Sequence, residues 1–85
     1  MKDRILVIYK KDTVTLYKLA QIVKNYVEIN FLDPEFTIVI TDDTVTEQFI
    51  RENLFYTLVI VNSEYDIELN DIDTLRKLRV WEEKR

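Results

Sequence analysis

The sequence predicts a small α/β domain, a three-layer βαβαβα unit built on a three-stranded, mainly parallel sheet. Three observations carry that prediction. Runs rich in β-branched residues, Ile5–Tyr9, Phe36–Thr41 and Leu58–Val61, are apolar with little or no alternation, as strands covered on both faces are. A helical pattern follows each run, and strand–helix alternation implies a parallel sheet with right-handed crossovers. A four-residue word marks two of the junctions: Asp12-Thr13-Val14-Thr15 after the first run and Asp43-Thr44-Val45-Thr46 after the second. Each copy reads as a strand stop and a helix start.

The first strand, Ile5 to Tyr9, is the candidate for the centre of the sheet, giving spatial order 2-1-3, with 3-2-1 as the alternative. A long helix follows from Val14 to about Leu32, with Leu16, Leu19, Ala20, Val23, Tyr26, Val27 and Asn30 at helical spacing. Tyr17, Ile22 and Ile29 widen the apolar surface beyond one stripe, so more than one side of this helix needs cover. In so short a chain a second copy of the protein is expected to supply it. Leu32-Asp33-Pro34-Glu35 ends the helix, because proline disfavours a helical residue before it and has no N–H to donate.

The second strand is Phe36 to Thr41, and a short helix is predicted from about Val45 to Asn53. Thr44-Val45-Thr46-Glu47 fits a capping box, Phe49 and Ile50 face inward, and Glu47 with Arg51 forms a favourable four-residue pair. After the third strand, Leu58 to Val61, residues Tyr65, Ile67 and Leu69 alternate with acids. That pattern fits a short fourth edge strand at 65–69 or an ordered loop. A final helix is predicted from about Asp71 to Glu83, its stripe formed by Ile72, Leu75, Leu78 and Trp81. Asp71 and Asp73 at its start and Arg76, Lys77 and Arg79 further on match the helix dipole.

The 85 residues form one predicted domain over 1–85, with no internal linker. No apolar run approaches the roughly 18 residues of a membrane span, and the opening residues do not show a signal-peptide pattern. A cytoplasmic location is the default expectation. With Gly 0, every tight turn must use another residue, and Asn30, Asn53, Asn62 and Asn70 lie near predicted element ends. The absent glycine and cysteine, with many Ile, Val, Tyr, Glu and Lys, make a thermophile-like composition.

The formal net charge of -4 is unevenly spread. Met1 to Leu32 holds six basic and three acidic residues, Asp33 to Asp73 one basic and eleven acidic, and Thr74 to Arg85 five basic and two acidic. Complementary segments favour self-association. A three-stranded sheet also has two open edges, which must be blunted or paired. Pairing one edge across a two-fold axis would make a continuous sheet, and we expect a homodimer. Tyr17, Ile22, Val80 and Trp81 are the candidate interface residues, although the stripe reading places Trp81 in the core.

His 0 and Cys 0 exclude Ser-His-Asp and Cys-His pairs and the usual zinc and haem sites. Without glycine there is neither a P-loop nor a dinucleotide fingerprint. No cofactor is predicted. An alternative gathers Asp12, Asp42, Asp43 and Glu64 at the strand ends to hold magnesium, with the three aspartates as the catalytic set of a phosphoryl or nucleotide-processing enzyme. Aspartate and threonine are also preferred helix caps, which explains the same positions without chemistry.

Tyr9-Lys10-Lys11-Asp12-Thr13-Val14-Thr15 resembles the first strand, phosphate loop and helix start of flavodoxins. The hydroxyl residues Thr13 and Thr15 are the specific part, while Val14 stands where that family uses glycine. The resemblance covers about a fifth of the chain and implies a fold of this type. A second alternative is nucleic-acid binding through Arg76, Lys77, Arg79, Lys84 and Arg85 on the last helix, set against a sequence pI of about 4.8. A designed origin fits the repeated junctions but not the missing glycines. The reading preferred is a non-enzymatic accessory or regulatory protein that acts through self-association and protein contacts. Its composition resembles that of small proteins from viruses and mobile elements of hot environments.

Overall fold

A computed structural model describes residues 2–53, 55–67 and 75–82. The elements are β1 (Asp3–Tyr9), α1 (Leu16–Ile29), β2 (Pro34–Thr41), α2 (Glu47–Glu52), β3 (Thr57–Val61) and β4 (Arg76–Val80). All pairings are parallel, and the strand order is β2-β1-β3-β4. Order 2-1-3 therefore holds for the three predicted strands, with β1 inside the sheet. The α/β class and the parallel sheet are as the sequence predicts.

The last predicted helix is a correction. Residues 76–80 form the fourth strand, while 71–74 and 83 lie outside the described residues. The three-residue spacing of Leu75, Leu78 and Trp81 satisfies a helical template. But Leu78 and Val80 also alternate with Lys77 and Arg79, and pairing with β3 lets that shorter period win. The fourth edge strand is thus at 76–80 and not at 65–69. Residues 65–67 are loop, and 68–69 lie outside the described residues.

Strand alternation divides the interior into two layers. Ile5 and Val7 of β1 with Val59 and Val61 of β3 face α1, where Leu19 and Ile22 are buried against them. Leu6, Ile8, Leu58 and Ile60 face the other way, into a cluster with Val45, Ile50, Phe55, Ile67 and Leu75. Each of these strand side chains is at most 1% exposed, so each contributes about 1.5–3 kcal/mol of apolar burial. Two helices on opposite faces of the sheet make the three layers.

Glycine-free turns are solved in two ways. Asp12, Phe31 and Asn62 take the left-handed region themselves, at φ of 64, 53 and 53°. Asn30 and Asn53 instead keep negative φ as the C-caps of α1 and α2, and their side-chain amides donate back to the carbonyls of Tyr26 and Phe49 at 3.0 and 2.8 Å. At the end of α1 the Leu32 and Phe31 amides donate to Val27 and Glu28 carbonyls at 3.0 and 3.4 Å. This paired closure normally has glycine at its left-handed position. Here it is Phe31, 95% exposed.

Candidate functional site

Parallel sheets usually carry function outside the carboxyl ends of their strands, where both copies of the repeated word lie. Thr13 and Thr44 each turn their amide and hydroxyl onto the carbonyl three residues back, of Lys10 and Thr41. The valine goes inward: Val45 is buried on the α2 side and Val14 packs on the α1 side. The last threonine is the helix N-cap. Thr15 Oγ1 accepts the Lys18 amide at 3.1 Å, and Thr46 Oγ1 accepts the Phe49 amide at 3.1 Å. The predicted capping box Thr44–Glu47 is not formed, because Thr46 and not Thr44 is the cap and Phe49, not Glu47, stands at the third helical position. Glu47 opens α2 and pairs with Arg51 at 3.6 Å, as its spacing predicts.

These bonds occupy the hydroxyls behind the flavodoxin resemblance, and the sheet has four strands. The resemblance extends no further than the parallel α/β class. The strand-end carboxylates are dispersed as well. Asp42 accepts the hydroxyl of Ser63 at 2.7 Å, and Ser63, 1% exposed, accepts the Tyr65 amide at 3.0 Å. That chain of bonds ties the end of β2 to the loop after β3. Asp12 sits on its left-handed turn, and Asp12, Asp43 and Glu64 are all exposed. Among the described residues no three acidic side chains are grouped to hold a metal ion. The gathering of Asp12, Asp42, Asp43 and Glu64 expected for magnesium is not formed.

The basic residues of the C-terminal segment lie on a strand. Lys77 Nζ pairs with Asp66, and this hydrogen bond and charge hold the Asp66 carboxyl below its ordinary value of 3.8. Arg79 donates to the carbonyls of Ser63 and Tyr65 at 2.7 and 3.1 Å, with its guanidinium 5.9 Å from the Trp81 ring centre. Arg76 is exposed, and Lys84 lies outside the described residues. The first two cations therefore fasten the 63–66 loop over β4 and do not form a free basic stripe. Within that loop the Tyr65 hydroxyl is buried without a hydrogen-bond partner among the described residues, and burial raises its pKa.

A different surface is left open. One helix about 10 Å across cannot cover a four-stranded sheet about 19 Å wide. On the α1 face the uncovered flank lies over β2, where Leu16, Ala20, Val23 and Val27 of α1 and Thr37 and Val39 of β2 line a groove of about 500 Å³. Leu16 is 69% and Val39 45% exposed. The groove is lined by the first stripe of α1 and not by Tyr17, Ile22 and Ile29, which the sequence sets as its second apolar side: Tyr17 and Ile29 are exposed outside the groove. Of the candidate interface residues, Tyr17 and Trp81 are exposed, and Val80 is partly buried against the α1-side cluster. Ile22 is a correction. At 5% exposure it is core, because it points at the sheet beside Leu19. Val39 was not among the candidates, but an outer β2 in order 2-1-3 is the signal that singles it out.

Neither a scan of protein-family models nor searches of curated proteins and of solved structures finds a match to this chain.

Proposed function

We propose that this chain works through protein contacts, self-association first, as a small accessory or regulatory protein without catalysis of its own. The observation that carries the reading is the apolar groove between α1 and β2, which adjoins an open sheet edge. Apolar lining on a concave surface, next to a strand with outward backbone groups, is what a protein partner uses: side chains fill the groove and main chain extends the sheet. The strand ends favour this reading over an enzyme, since their threonines are engaged in holding the backbone and Asp42 in holding the Ser63 hydroxyl.

The test is sedimentation velocity from low micromolar to several hundred micromolar protein. Mass is expected to rise with concentration, and Val23→Asp in the groove wall is expected to weaken the association at least tenfold while leaving the melting temperature within a few degrees. A protein that stays monomeric over the whole range would remove self-association from the proposal.

A further inference from the structure

The two edges of the sheet differ in charge. The β2 edge is acidic: Asp33, Glu35, Asp42 and Asp43 lie in or beside the strand, with no basic residue from Asp33 to Asp43. Glu35 also pairs with Arg4 of β1 at 3.4 Å, and Asp42 is bonded inward to Ser63. On the β4 edge, three of the five strand residues, Arg76, Lys77 and Arg79, are cationic. Lys77 is paired with Asp66 and Arg79 is bonded to the carbonyls of Ser63 and Tyr65, so the exposed Arg76 carries most of the charge offered outward. Pairing either edge with itself across a two-fold axis sets like charges against like, which is destabilising on a sheet. Pairing the β2 edge of one copy with the β4 edge of another instead sets the cations of β4 beside the uncharged middle of β2, with Arg76 diagonal to Glu35, so that like charges along the two strands do not face one another.

Backbone geometry permits that pairing without a shift along the strands. The Asp42 amide donates to the Tyr9 carbonyl, so Phe36, Ile38 and Ile40 of β2 turn their amides and carbonyls toward β1. Those of Thr37 and Val39 point outward. On β4 the Arg76 amide donates to Tyr56 and the Val80 carbonyl accepts from Asn62, so Lys77 and Arg79 point outward. Across one sheet Thr37, Ile5, Thr57 and Arg76 stand at the same level. A neighbouring copy placed at that level, strands parallel, sets its Lys77 beside Ile38 and its Arg79 beside Ile40. The outward amides and carbonyls of Lys77 and Arg79 then interleave with those of Thr37, Val39 and Thr41 in a parallel ladder. The faces match too: Leu78 of the incoming strand lies beside Val39, on the α1 side, and extends the floor of the groove.

We propose that the β2 edge is the docking site for the β4 edge of a second copy, giving head-to-tail growth of one parallel sheet. This rests on the self-association reading above. Such an interface leaves a free edge at each end, and sheet twist of about 20–25° per strand turns each four-strand copy by roughly 80–100°. Assembly is therefore open-ended and helical unless the rotation closes a ring.

Two edge-blocked variants of the full chain test it. Val39→Pro and Lys77→Pro each remove an outward N–H that makes no bond within its own sheet, a place where an edge strand tolerates proline. Each variant alone is expected to sediment as a monomer, and an equimolar mixture as a 1:1 pair that grows no further. The wild type should form a series of species. If Lys77→Pro alone or Val39→Pro alone still dimerises, the interface is two-fold and the head-to-tail proposal fails while self-association stands. A monomeric wild type removes both. Should circular dichroism show that a proline variant does not fold, Glu35→Lys and Arg76→Glu replace the pair. Each alone should weaken association several-fold, and mixing them should restore it. Charge variants that change nothing, or a mixture no stronger than its components, overturn the proposal.

Discussion

The two faces of this sheet use the same two central strands and are covered in opposite ways. On the α1 face one helix of 14 residues supplies Leu19 and Ile22 and leaves the β2 flank open. On the other face the helix has only 6 residues, and most of the cover comes from outside it: Val45, Phe55, Ile67 and Leu75. That patchwork reaches β2. Phe36 packs edge-on against Phe55 with centroids 6.1 Å apart, Phe49 lies 5.8 Å from Phe55, and Arg4 sits 5.4 Å over the Phe36 ring. A single regular helix covers a fixed width. Irregular segments can be placed wherever the sheet remains bare.

The largest expected effects are in the patchwork. Phe55, 2% exposed, joins β2, α2 and the central strands, and Phe55→Ala is expected to cost about 3–5 kcal/mol. That is comparable with the whole stability of a domain this small. Leu19→Ala on the α1 face should cost about 2–5 kcal/mol, since the helix has little else buried there. Val39→Ala, on the open flank, should stay within roughly 0.5 kcal/mol in the monomer. Urea unfolding of the three variants at low protein concentration checks the order. A Val39 cost as large as that of Leu19 would mean that the flank is closed within one copy.

Helix starts give a finer contrast. Thr46→Ala and Thr15→Ala each remove one cap bond, worth about 1 kcal/mol. In α1 the loss can be limited by fraying one turn, whereas α2 has barely more than one turn to lose. Hydrogen exchange of the α2 amides should therefore accelerate more after Thr46→Ala than that of α1 after Thr15→Ala. Equal acceleration would show that packing of Ile50 alone, and not the cap, sets the stability of α2.

How much of this was legible in the residues follows from the same contrast. β1, α1, β2, α2 and β3 each carry their own signal: an apolar β-branched run, a helical stripe, or the Asp-Thr-Val-Thr junction. The α2-side cover does not, because Phe55, Ile67 and Leu75 come from segments without a period of their own. Strand β4 reads as part of a helix for a related reason. In five residues, Arg-Lys-Leu-Arg-Val offers both a period of two and part of a period of three, and only the exposed side of β3 decides between them. At the strand ends the sequence shows the residue types but not which backbone group each will bond. The threonines and Asp42 could be read as a site until their partners, Lys10, Lys18, Thr41, Phe49 and Ser63, were known.

The α1 side also carries backbone strain at its closing turn. Phe31 holds a φ of 53° with its ring 95% exposed, so its side chain gains little from packing while its Cβ crowds the backbone. Phe31→Gly should stabilise the monomer by roughly 1 kcal/mol, less the chain entropy that glycine adds to the unfolded state. Thermal unfolding checks the sign. A loss of stability would show that the exposed ring makes a contact worth more than the strain, which for so exposed a residue requires a second molecule.

The smallest expected effect concerns what fastens the patchwork to the sheet edge, and its sign can be worked out. Lys77 lowers the Asp66 carboxyl below its ordinary value of 3.8, first by a hydrogen bond and then by charge. A carboxyl with a depressed folded value stabilises the fold above its unfolded pKa, and the stabilisation is lost as pH falls through the folded value. Asp66→Asn should therefore be less stable than the wild type near neutral pH. The two should converge as the solution is acidified past the wild-type carboxyl. Added salt should narrow the gap in the same direction, because the pair is exposed and screened. Melting temperatures of both proteins across the acid range, at low and high salt, read this directly. A gap that persists in strong acid would mean that Asp66 holds the loop through its bond to the Ile67 amide, at 3.0 Å, and not through its charge on β4.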